Sequence, residues 1–295
     1  MSIRNITSRY INTDNPMGVF EIDLHDLWYL CIETAKITPV KGAAADQLVA
    51  QLVAARQLGH IRRPDRSKPN ADIDRRSEVQ HAPELEHAVT SSNERMWTDL
   101  PFLVTDLRAA WANSVRRMSQ TECENLAGFT GRLATAGVCD PHLTSCALIL
   151  FREALETPRR ILGSDKLTGG GPAHETPLSE YLPAVLAWLW YGSYQILDLC
   201  ARNHLPTVDD SQCEDWTTVG ESLAADSEAT QKAGFTMLRW QFWKRQLKEI
   251  ERHVGDKAVA EQGGTCARIM ERWEDIMGRA AAMTERDAPV PKEQV

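Results

Sequence analysis

Apolar residues recur every three to four positions along most of this chain, and runs that alternate apolar with polar residues and are rich in Val, Ile and Thr are missing. That period belongs to helices, not strands. Over 19–37, Leu24, Leu27, Trp28, Cys31 and Ile32 share one face, and a second helix is expected over 42–59. "DLPFLVTDLRAAWANSV" continues the pattern. The next helix opens on Ser119 and Glu122, spaced as a Ser-x-x-Glu capping box, and ends at Gly137, where a left-handed residue is easiest. "PHLTSCALILFREALET" predicts a helix from Pro141 to about Pro158, with proline tolerated in its first turn. The segment 178–203 is apolar around much of its circumference, which marks the centre of a bundle. Two more helices are expected over 238–253 and 256–283.

Two polar stretches, 61–95 and 204–232, interrupt this pattern and read as solvated loops. The helices on either side of them have the same character. The expectation is therefore an all-α fold: one helical domain over 1–295, a bundle of about seven to nine helices, with its ordered core over about 18–285 and a frayed tail. No repeat of fixed period is present.

Charge narrows the function. A net charge of -8 and a pI near 5.6 speak against a polyanion binder, which would concentrate Lys and Arg. The stretch "LRWQFWKRQLKEIERH" looks like an exception until helical phase is applied. At ~100° per residue Trp240, Trp243, Leu247, Ile250 and Val254 fall within about 80° of each other, while Lys244, Arg245, Lys248 and Arg252 fall elsewhere. A single-strand binder would mix stacking rings and cations on one surface. No nucleic-acid partner is expected, and Arg239 is left at the margin of the stripe. The longest apolar run, "YLPAVLAWLWYGSYQILDLC", is interrupted by Pro183, Gly192, Gln195 and Asp198, so no membrane span is expected, and "MSIRNITSRYINTDNP" lacks the apolar centre of a signal peptide. Seven cysteines without paired spacing fit reduced thiols and a cytoplasmic setting.

Candidate chemistry is sparse. Cys139, His142 and Cys146 form C-x2-H-x3-C, but a structural zinc site needs four ligands, so no metal is assigned. Gly169–Gly171 lacks the strand, lysine and spacing of a phosphate loop, and no nucleotide, hydrolase or zincin motif is present, so no cofactor is expected. "DDSQCED" loosely resembles a magnesium-binding aspartate motif, with a solvated acidic loop as the favoured reading. Asp99 with Asp106 and Glu153 with Glu156 could act as acid and base if buried in a cavity. Ion pairs with arginines such as Arg132, Arg152 or Arg239 are the favoured role for these carboxylates.

Taken in order, "DLPFLVTDLRAAWANS", "NLAGFTGRLATAGV", "ALILFREALE", "LPAVLAWLW" and "GFTMLRWQFWKRQLKEI" resemble a fungal helical family named after the oxopyrrolidine biosynthesis cluster protein G. The resemblance covers about residues 20–255. Its landmarks here are Asp106, Trp111, Phe129, Arg132, Leu133, Glu156, Trp188, Arg239, Trp240 and Trp243, and the stretch beginning "HLPTVDDSQCEDW" is an insertion relative to the family's shorter form. The resemblance implies a fungal protein of a family without an established mechanism, often encoded beside secondary-metabolite enzymes such as polyketide–peptide synthases; the leading expectation is an accessory protein that binds or transforms a hydrophobic intermediate. Trp188, Trp190, Trp240 and Trp243 would then supply apolar walls, and Asp106, Arg132, Glu156 and Arg239 the few polar groups such a pocket needs. Two alternatives stand beside it: a magnesium-dependent terpene cyclase, suggested by a distant similarity to fungal humulene synthases, and a non-enzymatic helical interaction module. No motif decides whether a reaction is catalysed.

Overall fold

The computed structural model describes residues 2–64, 85–161, 176–206, 217–220 and 233–286. Among them are nine α-helices, one π-helical turn and one antiparallel pair of three-residue strands. The fold is thus mostly helical, as the periodicity predicts. The packing divides the chain into two compact units, Met1–Ala110 and Trp111–Val295.

The first unit begins with α1 (Ile3–Asn12), α2 (Met17–Ile37) and α3 (Ala43–Gln57). α1 has no counterpart among the sequence-based expectations, because its only core residues are Ile6 and Tyr10, one turn apart. Tyr10 meets Phe20 of α2 edge-on at 5.3 Å, and the Ser2 side chain accepts the Asn5 N–H to cap the helix. The stretch 61–95, expected as a loop, contains β1 (Arg62–Pro64) and β2 (Leu85–His87), paired Arg62 to His87, Arg63 to Glu86 and Pro64 to Leu85. Apolar alternation does not mark this hairpin. Its anchor is the buried Arg63, which donates to Glu86 at 2.7 Å and to the Thr13 and Asn15 carbonyls. Behind it, Trp28 and Trp97 meet edge-to-face at 6.5 Å; Trp28 Nε1 donates to the Pro101 carbonyl and Trp97 Nε1 to Thr7 Oγ1. α4 (Leu103–Ser114) follows, and the division between the units falls inside it.

The second unit contains α5 (Gln120–Thr135), α6 (Cys146–Phe151), the π turn Arg152–Glu156, α7 (Leu178–Ala201), α8 (Met237–His253) and α9 (Lys257–Arg286). The capping box of Ser119 and Glu122 is formed, and Gly137 takes φ +69° beyond the last turn of α5. α6 starts later than the pattern predicts. Cys139 is left-handed at φ +49°, and Thr144 and Ser145 spend their hydroxyls on Asp140 Oδ1 and the His142 carbonyl, which holds 140–145 in turns. α7 is the central helix: Trp188, Leu189 and Ile196 are all fully buried. A Cβ on Gly192 would lie 2.9 Å from the Trp188 ring, so a glycine is what lets that ring lie flat against its own helix beside α5. On α8 the predicted phase is observed. Trp240, Trp243, Leu247 and Ile250 are buried and Arg245 and Arg252 are exposed. Among the described residues no helix is long and apolar enough to cross a membrane, and the six described cysteines are free thiols.

Candidate functional site

The convergence of the chain's distinctive residues happens at the π turn. The apolar run Cys146–Phe151 buries every residue of α6 and carries the backbone into the core. There the helix widens to five-residue closures over Arg152–Glu156, Thr157 Oγ1 caps the Arg152 carbonyl at 2.9 Å, and Pro158, lacking an N–H, prevents continuation. Single π turns occur often at functional positions. Here the turn delivers two buried carboxylates, Glu153 and Glu156, to separate sets of arginine partners.

Glu156 is fully buried and meets Arg239, also fully buried, as a fork: Arg239 Nε donates to Oε1 at 2.8 Å and Nη2 to Oε2 at 2.9 Å. Trp243 Nε1 donates to Oε1 at 2.7 Å, and the backbone N–H of Gly220 to Oε2 at 2.8 Å. The remaining guanidinium hydrogens are also engaged. Nη1 donates to the carbonyls of Thr217 and Gly234, and Nη2 to that of Thr218 at 3.2 Å. Five donors and about four acceptor positions are the full complement of this pair, and all are taken. Thr236 caps α8 by accepting the Arg239 N–H at 3.1 Å, which fixes where the guanidinium emerges. A side chain at position 220 would lie 2.6 Å from the Glu156 carbonyl, so only glycine lets its N–H reach the carboxylate. The arrangement is an internal brace holding residues 217–220 and 234 against the π turn and α8. A carboxylate with every lone-pair position occupied offers no acceptor for a substrate proton.

Glu153 makes the second cluster. Arg116 donates to its two oxygens at 2.9 and 3.1 Å, and the buried Arg159 to Oε2 at 2.5 Å. Arg159 also reaches the Thr176 carbonyl at 3.0 Å and lies 4.7 Å over the Tyr181 ring. Burial pushes the Glu153 carboxyl up, but the hydrogen bond from Arg116 and the charges of Arg159, Arg116 and Arg152 outweigh it, so it titrates below its ordinary value.

The other residues singled out by sequence stand apart. In the first unit, Asp106 accepts from His25 Nδ1 at 2.9 Å; burial raises its carboxyl against the opposing hydrogen bond and charge of His25, whose ring stacks on Phe102 at 4.3 Å. Arg132 donates to Tyr191 Oη at 2.7 Å and lies over the same ring. Trp188 is buried between α5 and α7, Trp240 Nε1 donates to Glu274, and Trp190, expected as an apolar wall, is 65% exposed on α7 because it lies across the helix from Trp188. Of the eight residues expected to line a pocket, Glu156, Arg239 and Trp243 come together. Gly220, Thr217 and Gly234, which complete their cluster, carry no signal in the sequence, since their role is carried by backbone groups. Arg159 and Arg116 are not among the arginines singled out by sequence, because their glutamate partner is 6 and 37 positions away with no motif linking them. Among the described residues no group of three or more His, Cys, Asp and Glu could hold a metal ion, and "DDSQCED" lies outside them.

Residues 28–247 match a protein family described as "Protein of unknown function (DUF3632)". The chain belongs to this family. The match starts at Trp28 of α2 and ends at Leu247 of α8, and so includes both glutamates of the π turn, Arg239 and Trp243. The chain is also 28% identical over 264 residues to the oxopyrrolidines biosynthesis cluster protein G of Penicillium oxalicum, a similarity covering 87% of this chain and 68% of that protein. No solved structure matches the chain.

Proposed function

We propose that this DUF3632 protein serves as an accessory protein of fungal secondary metabolism that holds a hydrophobic intermediate. The observation that carries the reading is the similarity, over most of the chain, to a protein named for its biosynthesis cluster. Within it, Glu156, Arg239 and Trp243 act as positioning residues: their mutual saturation supports a role in fixing the shape of the second unit, not in touching the ligand. Asp106, paired with His25 in the first unit, and Arg132 and Trp188 of the second do not join that cluster. The cyclase reading needs carboxylate clusters open to a magnesium ion; the two buried glutamates of the π turn are committed to arginines and do not supply one, and "DDSQCED" lies outside the described residues.

The test is deletion of the gene in the organism that encodes it, with metabolite profiling. The expected outcome is loss of one end product and accumulation of a late, apolar precursor. An unchanged profile under conditions where the gene is expressed overturns the reading.

A further inference from the structure

In the first unit α2 and α3 meet over a short stretch only, and a groove of about 340 Å³ runs between them. Its floor includes Cys31 and Leu52, both nearly buried, and its walls Leu30 and Leu48, with Leu30 left 46% exposed. Gln47 and Gln51, one turn apart on α3, stand at its rim. Neither carboxamide has a partner among the described residues.

None of the groove's twelve lining residues carries a charge, in a chain of which 25% is Asp, Glu, Lys or Arg. The Cys31 thiol, pushed up to about 12 by burial, stays neutral as well. An ionised ligand entering here would be stripped of water without a counter-charge, which is costly. A membrane surface would call for cations around the apolar face, and the lining holds none. The groove, about 340 Å³ and open along one side, has the size of the smaller small-molecule pockets, roughly 300–1,000 Å³. The two free carboxamides offer both N–H donors and carbonyl acceptors to one end of such a molecule.

We propose that the α2–α3 groove binds an uncharged, elongated apolar molecule whose carbonyl or amide end is met by Gln47 and Gln51. This deepens the ligand-binding reading above and rests on it, while relocating the contact surface to the first unit. Covering Leu30 and Leu48 supplies the affinity, and the glutamines set the orientation.

The test uses the full chain and two fluorescent probes of opposite character, neutral Nile red and anionic anilinonaphthalene sulfonate, in equilibrium titrations. Nile red is expected to bind saturably and more tightly than the anion. Ala44→Trp, which fills the groove from its exposed rim and leaves the core untouched, and Leu48→Arg, which charges a wall, should each weaken Nile red binding by about tenfold or more. Trp190→Ser on α7 serves as the control and should leave the titration unchanged. The proposal is overturned if folded Ala44→Trp binds Nile red as the unmodified chain does, if only Trp190→Ser weakens binding, or if light scattering shows a dimer that Ala44→Trp dissociates, since the groove would then hold a second copy. Loss of groove binding as proposed, together with an unchanged metabolite profile on gene deletion, would retain the site and remove the pathway. Failure here with an altered profile would do the reverse.

Discussion

Replacing Glu156 by glutamine keeps the shape of the side chain but sets an amide donor against the Arg239 fork and leaves a buried guanidinium without its counter-charge. Breaking one side of a buried pair costs about 3–5 kcal/mol, and that is the expected loss for Glu156→Gln. The chemical denaturation midpoint should fall with the m-value unchanged. The pair also differs from those that can be exchanged for apolar residues at little cost. Replacing both Glu156 and Arg239 by methionine would strand the Trp243 and Gly220 N–H groups and the carbonyls of Thr217, Thr218 and Gly234, so the double substitution should remain destabilised. A double variant as stable as the original chain would show that the cluster is not a brace. The sequence places Arg239 at the edge of an apolar stripe and Glu156 three positions after Glu153, just beyond an apolar run, which makes each conspicuous. Their pairing, 83 positions apart, could not be read there, because nothing local connects a π turn to the start of α8.

At the scale of elements, local rules account for most of what is observed. Ser119 and Glu122 were legible as a capping box since its chemistry is confined to four consecutive residues, and both reciprocal hydrogen bonds are formed. Ser119→Ala should therefore cost α5 about 1 kcal/mol, seen as a lower thermal midpoint; an unchanged midpoint would mean that packing against α7 alone sets the helix start. α8 was legible for the same reason, with a phase that follows from 3.6 residues per turn. Besides α1, two elements were not. The β1–β2 hairpin depends on Arg63 reaching the Thr13 and Asn15 carbonyls, and the π turn depends on core partners for both of its glutamates. In both, long-range hydrogen bonding overrides a local pattern that reads as loop or ordinary helix.

For the molecule as a whole, acid is the informative variable. Glu153 titrates below its ordinary value in the folded chain, so the folded state holds its proton less tightly than the unfolded state. The stabilisation is complete above the unfolded carboxylate value, about 4.3, and is lost as pH falls through the lower folded value. Asp106 has the opposite sign: its raised value favours the folded state below the ordinary carboxylate range, and this contribution is lost as pH rises. Glu153→Gln should lower stability at neutral pH and flatten the acid limb of the stability curve. The measurement is the denaturation midpoint from about pH 6 to about pH 3. An acid limb as steep as in the original chain would assign it to other carboxylates.

By itself the sequence determined the helical character of the chain, the start of α5 with its capping box, the inward phase of Trp240 and Trp243, and a net charge of -8. These are set by residues within a few turns of one another, or by simple sums. The tertiary structure decided that Glu156 and Arg239 saturate each other, that three backbone carbonyls complete their shell, and that α2 and α3 leave an uncharged groove between them. Each of those depends on which distant segments come into contact, and a buried polar group takes whichever partner the packing brings, since leaving it unpaired costs more than any local preference.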